Sequence, residues 1–219
     1  MKSRFDAVAF DVDGTLYANR DMYLYSVPFF LTHPRLVFHY GRVRREIRKR
    51  RPIQDFYGLQ AELLAKRLGA DTAKTRTRLD SLIYEKWESV LARIPRYRGV
   101  KELVLELRES GVKTAVMSDF PVGRKLQFLG LEGLFDVAFS AETTGYLKPN
   151  PEPFELLLAE LQVDRSQLLY VGNSYSYDVV GAKSAGLAVA HLTSSPSEDS
   201  QADFSFASYE ELRAWLDVS

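Results

Sequence analysis

The chain contains no cysteine. That absence excludes disulfides, thiolate metal sites and cysteine nucleophiles together, and it fits a reducing compartment. Net charge is missing too: 29 Lys and Arg stand against 29 Asp and Glu in 219 residues. No global field would draw in nucleic acid, and none is expected as a partner. No apolar run approaches the length that spans a bilayer. The opening Met1-Lys2-Ser3-Arg4-Phe5-Asp6 has no uninterrupted apolar segment, and Asp11 comes too early for a signal peptide, so a cytoplasmic location is expected. Histidine is scarce; His33, His39 and His191 lack the spacing of a metal cage and read as structural or solvent-facing. No internal repeat is present. The remainder, 46% apolar and 26% charged, is ordinary for a soluble globular chain long enough for one large domain or a core with a smaller insert.

The chain is organised around Phe10-Asp11-Val12-Asp13-Gly14-Thr15-Leu16. The apolar run Ala7–Phe10 before it reads as a fully buried strand, within a first strand over residues 5–10. Residues i and i+2 of a strand share a face, so Asp11 and Asp13 start side by side. Two like charges are costly to bury unless a cation sits between them or the chain turns there. Gly14 supplies the freedom to turn and lets backbone N–H groups approach an anion. Open α/β sheets bind their ligands at such strand ends. The plainer reading is a solvated exit from a strand. A calcium loop is a poorer match, because the third Asp and the closing Glu are missing.

After Arg98-Gly99 the pattern becomes regular. Helices are expected over Val100–Ser110, Gly123–Leu129, Pro153–Leu161, Tyr175–Ala185 and Tyr209–Leu216. Strands are expected over Val112–Met117, Asp136–Phe139, Leu168–Val171 and Leu187–His191, with a polar loop over Ser194–Ser200. Alternation of these lengths implies a parallel sheet covered on both faces, to which the first strand belongs.

Residues 17 to about 97 differ in texture: aromatic, arginine-rich and helical in spacing. Leu59, Leu63, Leu64 and Leu68 form one stripe, ended by Gly69 as a C-cap. Leu79, Leu82, Ile83, Trp87, Val90 and Leu91 form another, stopped by Pro95. This is a mostly helical insert interrupting one α/β domain. Within it, aromatic Ser26–Tyr40 precedes Arg42, Arg44, Arg45, Arg48, Lys49, Arg50 and Arg51. Such a pair of stretches suits a membrane surface or an anionic ligand, and equally a helix with a solvated basic face, which is the commoner case. Pro28 and Pro34 argue against one continuous amphipathic helix.

Three further positions fall on the edge where Asp11 lies. Ser118 ends the second strand with a hydroxyl, which on its own is as easily a cap or turn former. Lys148 precedes Pro149-Asn150-Pro151-Glu152-Pro153, prolines that stiffen the backbone after a cation. Gly172-Asn173 follows the Leu168–Val171 strand, and Asp178 lies in the first turn of the next helix, where the helix dipole alone would favour it. An acid pair, a hydroxyl, a fixed lysine and another carboxylate on one edge suit phosphoryl transfer, which is mostly positioning and electrostatic stabilisation.

Asp11-Val12-Asp13-Gly14-Thr15, Ser118, Lys148-Pro149 and Gly172-Asn173…Asp178 resemble, in order and spacing, the four motifs of the haloacid dehalogenase superfamily. The resemblance implies a Rossmann-like α/β core, residues 1–16 and 97–219, with an inserted all-helical C1-type cap domain, residues 17–96. It implies a Mg²⁺-dependent phosphatase acting on a small phosphorylated metabolite. Asp11 would be the nucleophile that becomes an aspartyl-phosphate. Asp13 would protonate the leaving oxygen and then activate water. Ser118 and Lys148 would hold the phosphoryl oxygens, with Asp119 beside them at the substrate. Mg²⁺ would take Asp11, the Asp13 carbonyl, Asn173 and Asp178. The family more commonly has Asp where this chain has Asn173, which keeps an oxygen but loses a charge and shifts metal binding toward Asp178. A phosphomutase would use the same residues. A 2-haloacid dehalogenase is disfavoured because it lacks the second acid, present here as Asp13, and a non-catalytic binding module is disfavoured by the intact set.

Overall fold

The computed structural model describes residues 4–217. Strand β1 (Ala7–Phe10) opens the chain and is followed by helices α1 (Asn19–Thr32), α2 (Pro34–Ile47), α3 (Phe56–Leu68) and α4 (Thr72–Leu79). A π-helical stretch (Asp80–Trp87) and a 3-10 stretch (Glu88–Arg93) complete that helical segment. Next come α5 (Val100–Glu109), β2 (Lys113–Ser118), α6 (Gly123–Phe128), β3 (Val137–Ser140), α7 (Glu152–Leu161), β4 (Leu168–Gly172), α8 (Val180–Ser184), β5 (Ala188–Leu192), β6 (Phe204–Phe206) and α9 (Tyr209–Leu216). The strands form one sheet in the order β3-β2-β1-β4-β5-β6, with every pairing parallel. This is the α/β fold read from the sequence.

The two-residue period of the strands divides the core. Val8 and Phe10 of β1, Val116 of β2 and Leu169 and Val171 of β4 pack with α5 and α9. Ala7 and Ala9, Ala115 and Met117, and Leu168 and Tyr170 pack on the other side, with α7 and α8. Strand order reverses between β1 and β4, so the loops leaving these two strands part and open a crevice.

The helical segment packs around a further apolar cluster, including Phe29, Leu36, Val43, Ile47, Leu64, Leu79 and Ile83, which Leu147 joins from the loop before α7. Asp55 caps α3 by accepting from Gly58 N at 2.9 Å, and Gly69 ends it at φ +65°, as expected.

Four features depart from the sequence reading. Pro28 lies inside α1, and both it and Leu24 are exposed, so the carbonyl that Pro28 cannot pair faces solvent; the break comes at His33, with Pro34 starting α2. The basic run is not one solvated face: Arg42, Arg45, Lys49, Arg50 and Arg51 are exposed, whereas Arg44 is buried and Arg48 nearly so. The helix expected over Tyr175–Ala185 begins as a π-helical turn (Tyr175–Val179) before α8. Strand β6 escaped the sequence reading because three residues carry no measurable alternation. Among the described residues no helix is long and apolar enough to cross a membrane.

Candidate active site

Asp11 follows the last residue of β1 and is still held in the sheet by its N–H to Val171 O at 2.8 Å. The parity that turns Ala7 and Ala9 toward α7 and α8 carries Asp11 to that side. There Lys148 meets it, with Nζ 2.7 Å from Asp11 Oδ1, 2.6 Å from Asp178 Oδ1 and 3.0 Å from Tyr170 OH. Asp178 reaches this point because Gly172 has no side chain: a Cβ there would fall 2.4 Å from the Asp178 Cβ. Its second oxygen accepts from Ser174 N at 2.9 Å. Thr15 Oγ1 donates to Asp11 Oδ2 at 2.9 Å and reaches Asn173 Oδ1 at 3.3 Å.

Gly14 turns the chain at φ +91°, and a Cβ there would fall 2.2 Å from the Asn19 amide and 2.5 Å from that of Asn173. Beyond the turn, Asp13 points to a different set of partners. Ser118 Oγ donates to its Oδ2 at 2.6 Å, Tyr17 OH donates to Oδ1, and Lys125 Nζ lies 2.6 Å from both oxygens. Lys125 was not singled out from the sequence. It follows Arg124 in α6 as one of two adjacent basic residues, and only the fold reveals that Lys125 is buried while Arg124 is exposed.

The electrostatics follow. Burial pushes the Asp11 carboxyl up to about 7, with Asp178 and Asp13 adding to the rise and Lys148 opposing it. Burial also works against an ionised Asp13, but the Lys125 charge and the bonds from Lys125, Ser118 and Tyr17 outweigh it and hold that carboxyl below its usual range. Lys148 is buried, which disfavours its charge, yet Asp11 and Asp178 hold it protonated far above the ordinary lysine value.

A cleft of about 400 Å³ is lined by Asp11, Asp13, Lys148, Asn173, Asp178 and Asp119, together with Asn19, Tyr23 and Arg48 from the helical segment. All the residues expected from the sequence, Ser118 included through its bond to Asp13, therefore meet at one crevice. Arg48 donates to the Asp119 carboxylate and, from Nε, to Lys148 O at 2.9 Å, and its guanidinium lies 4.3 Å from the Tyr177 ring centre. Asp119 Oδ1 in turn accepts from Lys148 N at 3.0 Å. Arg44 donates to Glu142 and to Asp119 O, while Tyr84 OH donates to Glu142 Oε1 at 3.0 Å. The basic stretch thus grips the loops that carry Asp119 and Lys148. Neither arginine was distinguishable from its exposed neighbours without the packing of α2. His191, buried, brings Nε2 to 3.1 Å from Asn173 O, a structural role.

Among the described residues no three His, Asp or Glu side chains gather into a metal cage. Beside Lys148 the crevice nevertheless offers oxygen donors: the carboxylates of Asp11 and Asp178 and the Asn173 amide oxygen, while Asp13 and Asp119 are taken up by Lys125 and Arg48. Asp11 and Asp178 share one lysine, which leaves a buried excess of negative charge. That donor set fits Mg²⁺, which takes one or two carboxylates and keeps water and substrate oxygens for the rest.

The chain belongs to the haloacid dehalogenase-like hydrolases, whose family model matches residues 5–186. It is therefore a hydrolase. It is 29% identical over 189 residues to the pyrophosphatase PpaX of Bacillus velezensis, covering 84% of this chain and 81% of that one. The HAD phosphatase of Thermococcus onnurineus superposes with a TM-score of 0.63 at 23% identity, over 97% of this chain and 98% of that one. The L-2-haloacid dehalogenase of Xanthobacter autotrophicus, solved with chloropropionic acid covalently bound, superposes at 0.68 with 20% identity, over 97% and 98%. Both structural likenesses speak to the fold.

Proposed function

We propose that this chain is a Mg²⁺-dependent phosphoric monoester hydrolase acting through an aspartyl-phosphate on Asp11, with residues 17–96 as the cap that closes over a small phosphorylated metabolite. The observation that carries the reading is the pair of carboxylates two residues apart with different partners: Asp11 on Lys148 at 2.7 Å, and Asp13 on Ser118 at 2.6 Å. A dehalogenase needs only the first. Asp13 is held ready for proton transfer, which an ester's leaving oxygen requires.

In the proposed cycle an Asp11 oxygen attacks phosphorus as the bond to the leaving oxygen breaks. The electron pair stays on that oxygen, which takes a proton relayed by Asp13. Asp13 rests as a carboxylate, so the proton enters with the substrate, whose phosphoryl group binds one with a pKa of about 6. In the second step Asp13 takes a proton from water, the water oxygen bonds to phosphorus, the Asp11–phosphorus bond breaks to restore the Asp11 carboxylate, and Asp13 passes its proton to the departing phosphate and returns to its resting carboxylate. Lys148 and Ser118 hold the phosphoryl oxygens while charge spreads over them. Asp11, the Asp13 carbonyl, Asn173 and Asp178 would hold Mg²⁺, which when bound supplies charge neutralisation at the phosphoryl group.

The test is phosphate release, with and without Mg²⁺, from a panel holding 4-nitrophenyl phosphate, sugar phosphates and inorganic pyrophosphate, the last because of the PpaX relative. Release from at least one ester, lost in Asp11→Asn, supports the reading. A wild-type protein inert toward every ester overturns it.

A further inference from the structure

We propose that Lys125 is a positioning residue for Asp13, a role that rests on the phosphatase reading above. Lys125 lies on α6, outside the four stretches that bring the other site residues together, and is 4% exposed. A lysine is buried to that degree only when its charge is matched, and here the match is Asp13 itself, in the salt bridge Lys125 Nζ–Asp13 Oδ2 at 2.6 Å with Oδ1 equally close. The other acid nearby, Glu88, takes Arg124 at 3.4 Å.

The geometry is that of a clamp. Ser118 holds Oδ2 and Tyr17 holds Oδ1, so once substrate takes the Ser118 hydroxyl these two would leave the carboxylate on a single point, free to rotate about its axis. Lys125 bridges both oxygens, which fixes the plane of the carboxylate. Its stem is fixed in turn. The ammonium lies 4.8 Å from the Phe120 ring centre, and Lys125 shares a cavity of about 40 Å³ with Met22, Ile83, Trp87 and Leu91, so the helical segment walls it in. When a phosphoryl group takes the Ser118 hydroxyl, Asp13 gives up one of its three holders. Lys125 then keeps the carboxylate directed at the position where a proton leaves water in the second step. Misdirecting such a group by about 1 Å costs on the order of 10²-fold.

The experiment compares wild type, Lys125→Met and Lys125→Arg, with Mg²⁺ and whichever ester of the panel wild type hydrolyses fastest. Lys125→Met is expected to lower kcat on the order of 10²-fold and KM along with it, leaving kcat/KM, which reports only the first step, little changed. It should release one equivalent of alcohol per enzyme in a burst, because hydrolysis of the aspartyl-phosphate becomes the slow step. Lys125→Arg keeps a cation against Asp13 and should recover most of the loss. A raised KM at unchanged kcat would mean that Lys125 holds substrate directly, and it overturns the proposal. So does a loss of kcat with no burst in a Lys125→Met protein that is folded by circular dichroism. If Lys125→Met does not fold, Lys125→Arg decides: a kcat near wild type supports the clamp, and one as low as that of Asp13→Asn overturns it. A wild-type protein that hydrolyses no ester fails the phosphatase reading first, and that control separates the two failures.

Discussion

Lys148 and Asp11 stand 137 positions apart in the chain, and the lysine Nζ lies 2.7 Å from Asp11 Oδ1 with Asp178 2.6 Å away on its other side. One ammonium therefore separates two buried carboxylates. Replacing it by methionine keeps the volume and leaves two like charges facing each other in a low dielectric. Breaking a buried ion pair in this way costs about 3–5 kcal/mol. Lys148→Met should unfold at markedly lower urea and release no phosphate. Adding Asp178→Asn should return part of the stability and none of the activity. Equal midpoints for the single and double variants would contradict this account of the triad.

Arg44 tests how the helical segment is fastened. It is buried, donates to Glu142 and Asp119 O, and lies 4.4 Å from the Phe120 ring centre. Glu142 is buried as well. Arg44→Met should therefore destabilise by about 3–5 kcal/mol, because Glu142 is left charged and uncompensated. Arg42→Ala and Arg45→Ala, two exposed positions of the same helix, should each change stability by less than about 0.5 kcal/mol. Urea unfolding of the three variants separates them; three similar midpoints would show that the buried contact carries no special weight.

Much of the fold could be read before any coordinates because a parallel sheet writes its strands as short apolar runs and its crossovers as helical stripes. Asp11, Ser118 and Asp178 were legible for the same reason, each lying at or just after a strand end or early in the helical turn that follows one, and Lys148 through the prolines that stiffen the chain behind it. Lys125, Arg44 and Arg48 were not. Each stands in or at the end of a helix among residues of ordinary spacing, and what distinguishes it is the element packed against it, which periodicity does not encode. Strand β6 was missed because three residues are fewer than an alternation needs. The run from Arg42 to Arg51 looked uniform in composition, yet the helical period divides it, turning Arg44 toward the core and Arg42 and Arg45 to solvent.

The raised Asp11 carboxyl makes the stability of the apo protein depend on pH. Its ordinary value is 3.8 and burial brings it to about 7. Between those limits the folded protein keeps a proton that the unfolded chain has released, so this group's contribution to stability falls as pH rises through the window. Asp11→Asn has no such proton. Its unfolding free energy, set against wild type in metal-free buffer, should gain on wild type from pH 5 to pH 7 and level off above. A difference that stays flat across that range would place Asp11 among ordinary carboxylates.

Asn173 sets the charge of the oxygen donors. Its Oδ1 lies 3.3 Å from Thr15 Oγ1 and its side chain stands against Gly14, so an aspartate of the same shape would fit without moving the backbone. Asn173→Asp adds a negative charge to a crevice already carrying Asp11 and Asp178 against one Lys148. Without metal that charge is repelled, and the variant should melt below wild type. With Mg²⁺ it becomes an additional charged oxygen ligand, and the metal should raise the variant's melting temperature by more than it raises that of wild type. Half-maximal phosphate release should then come at several-fold lower Mg²⁺, while an excess of chelator abolishes release in both proteins. Asp178→Asn should act in the opposite sense, needing more Mg²⁺ for the same rate. If neither substitution alters the Mg²⁺ requirement or the metal-induced shift in melting, these two side chains do not hold the ion.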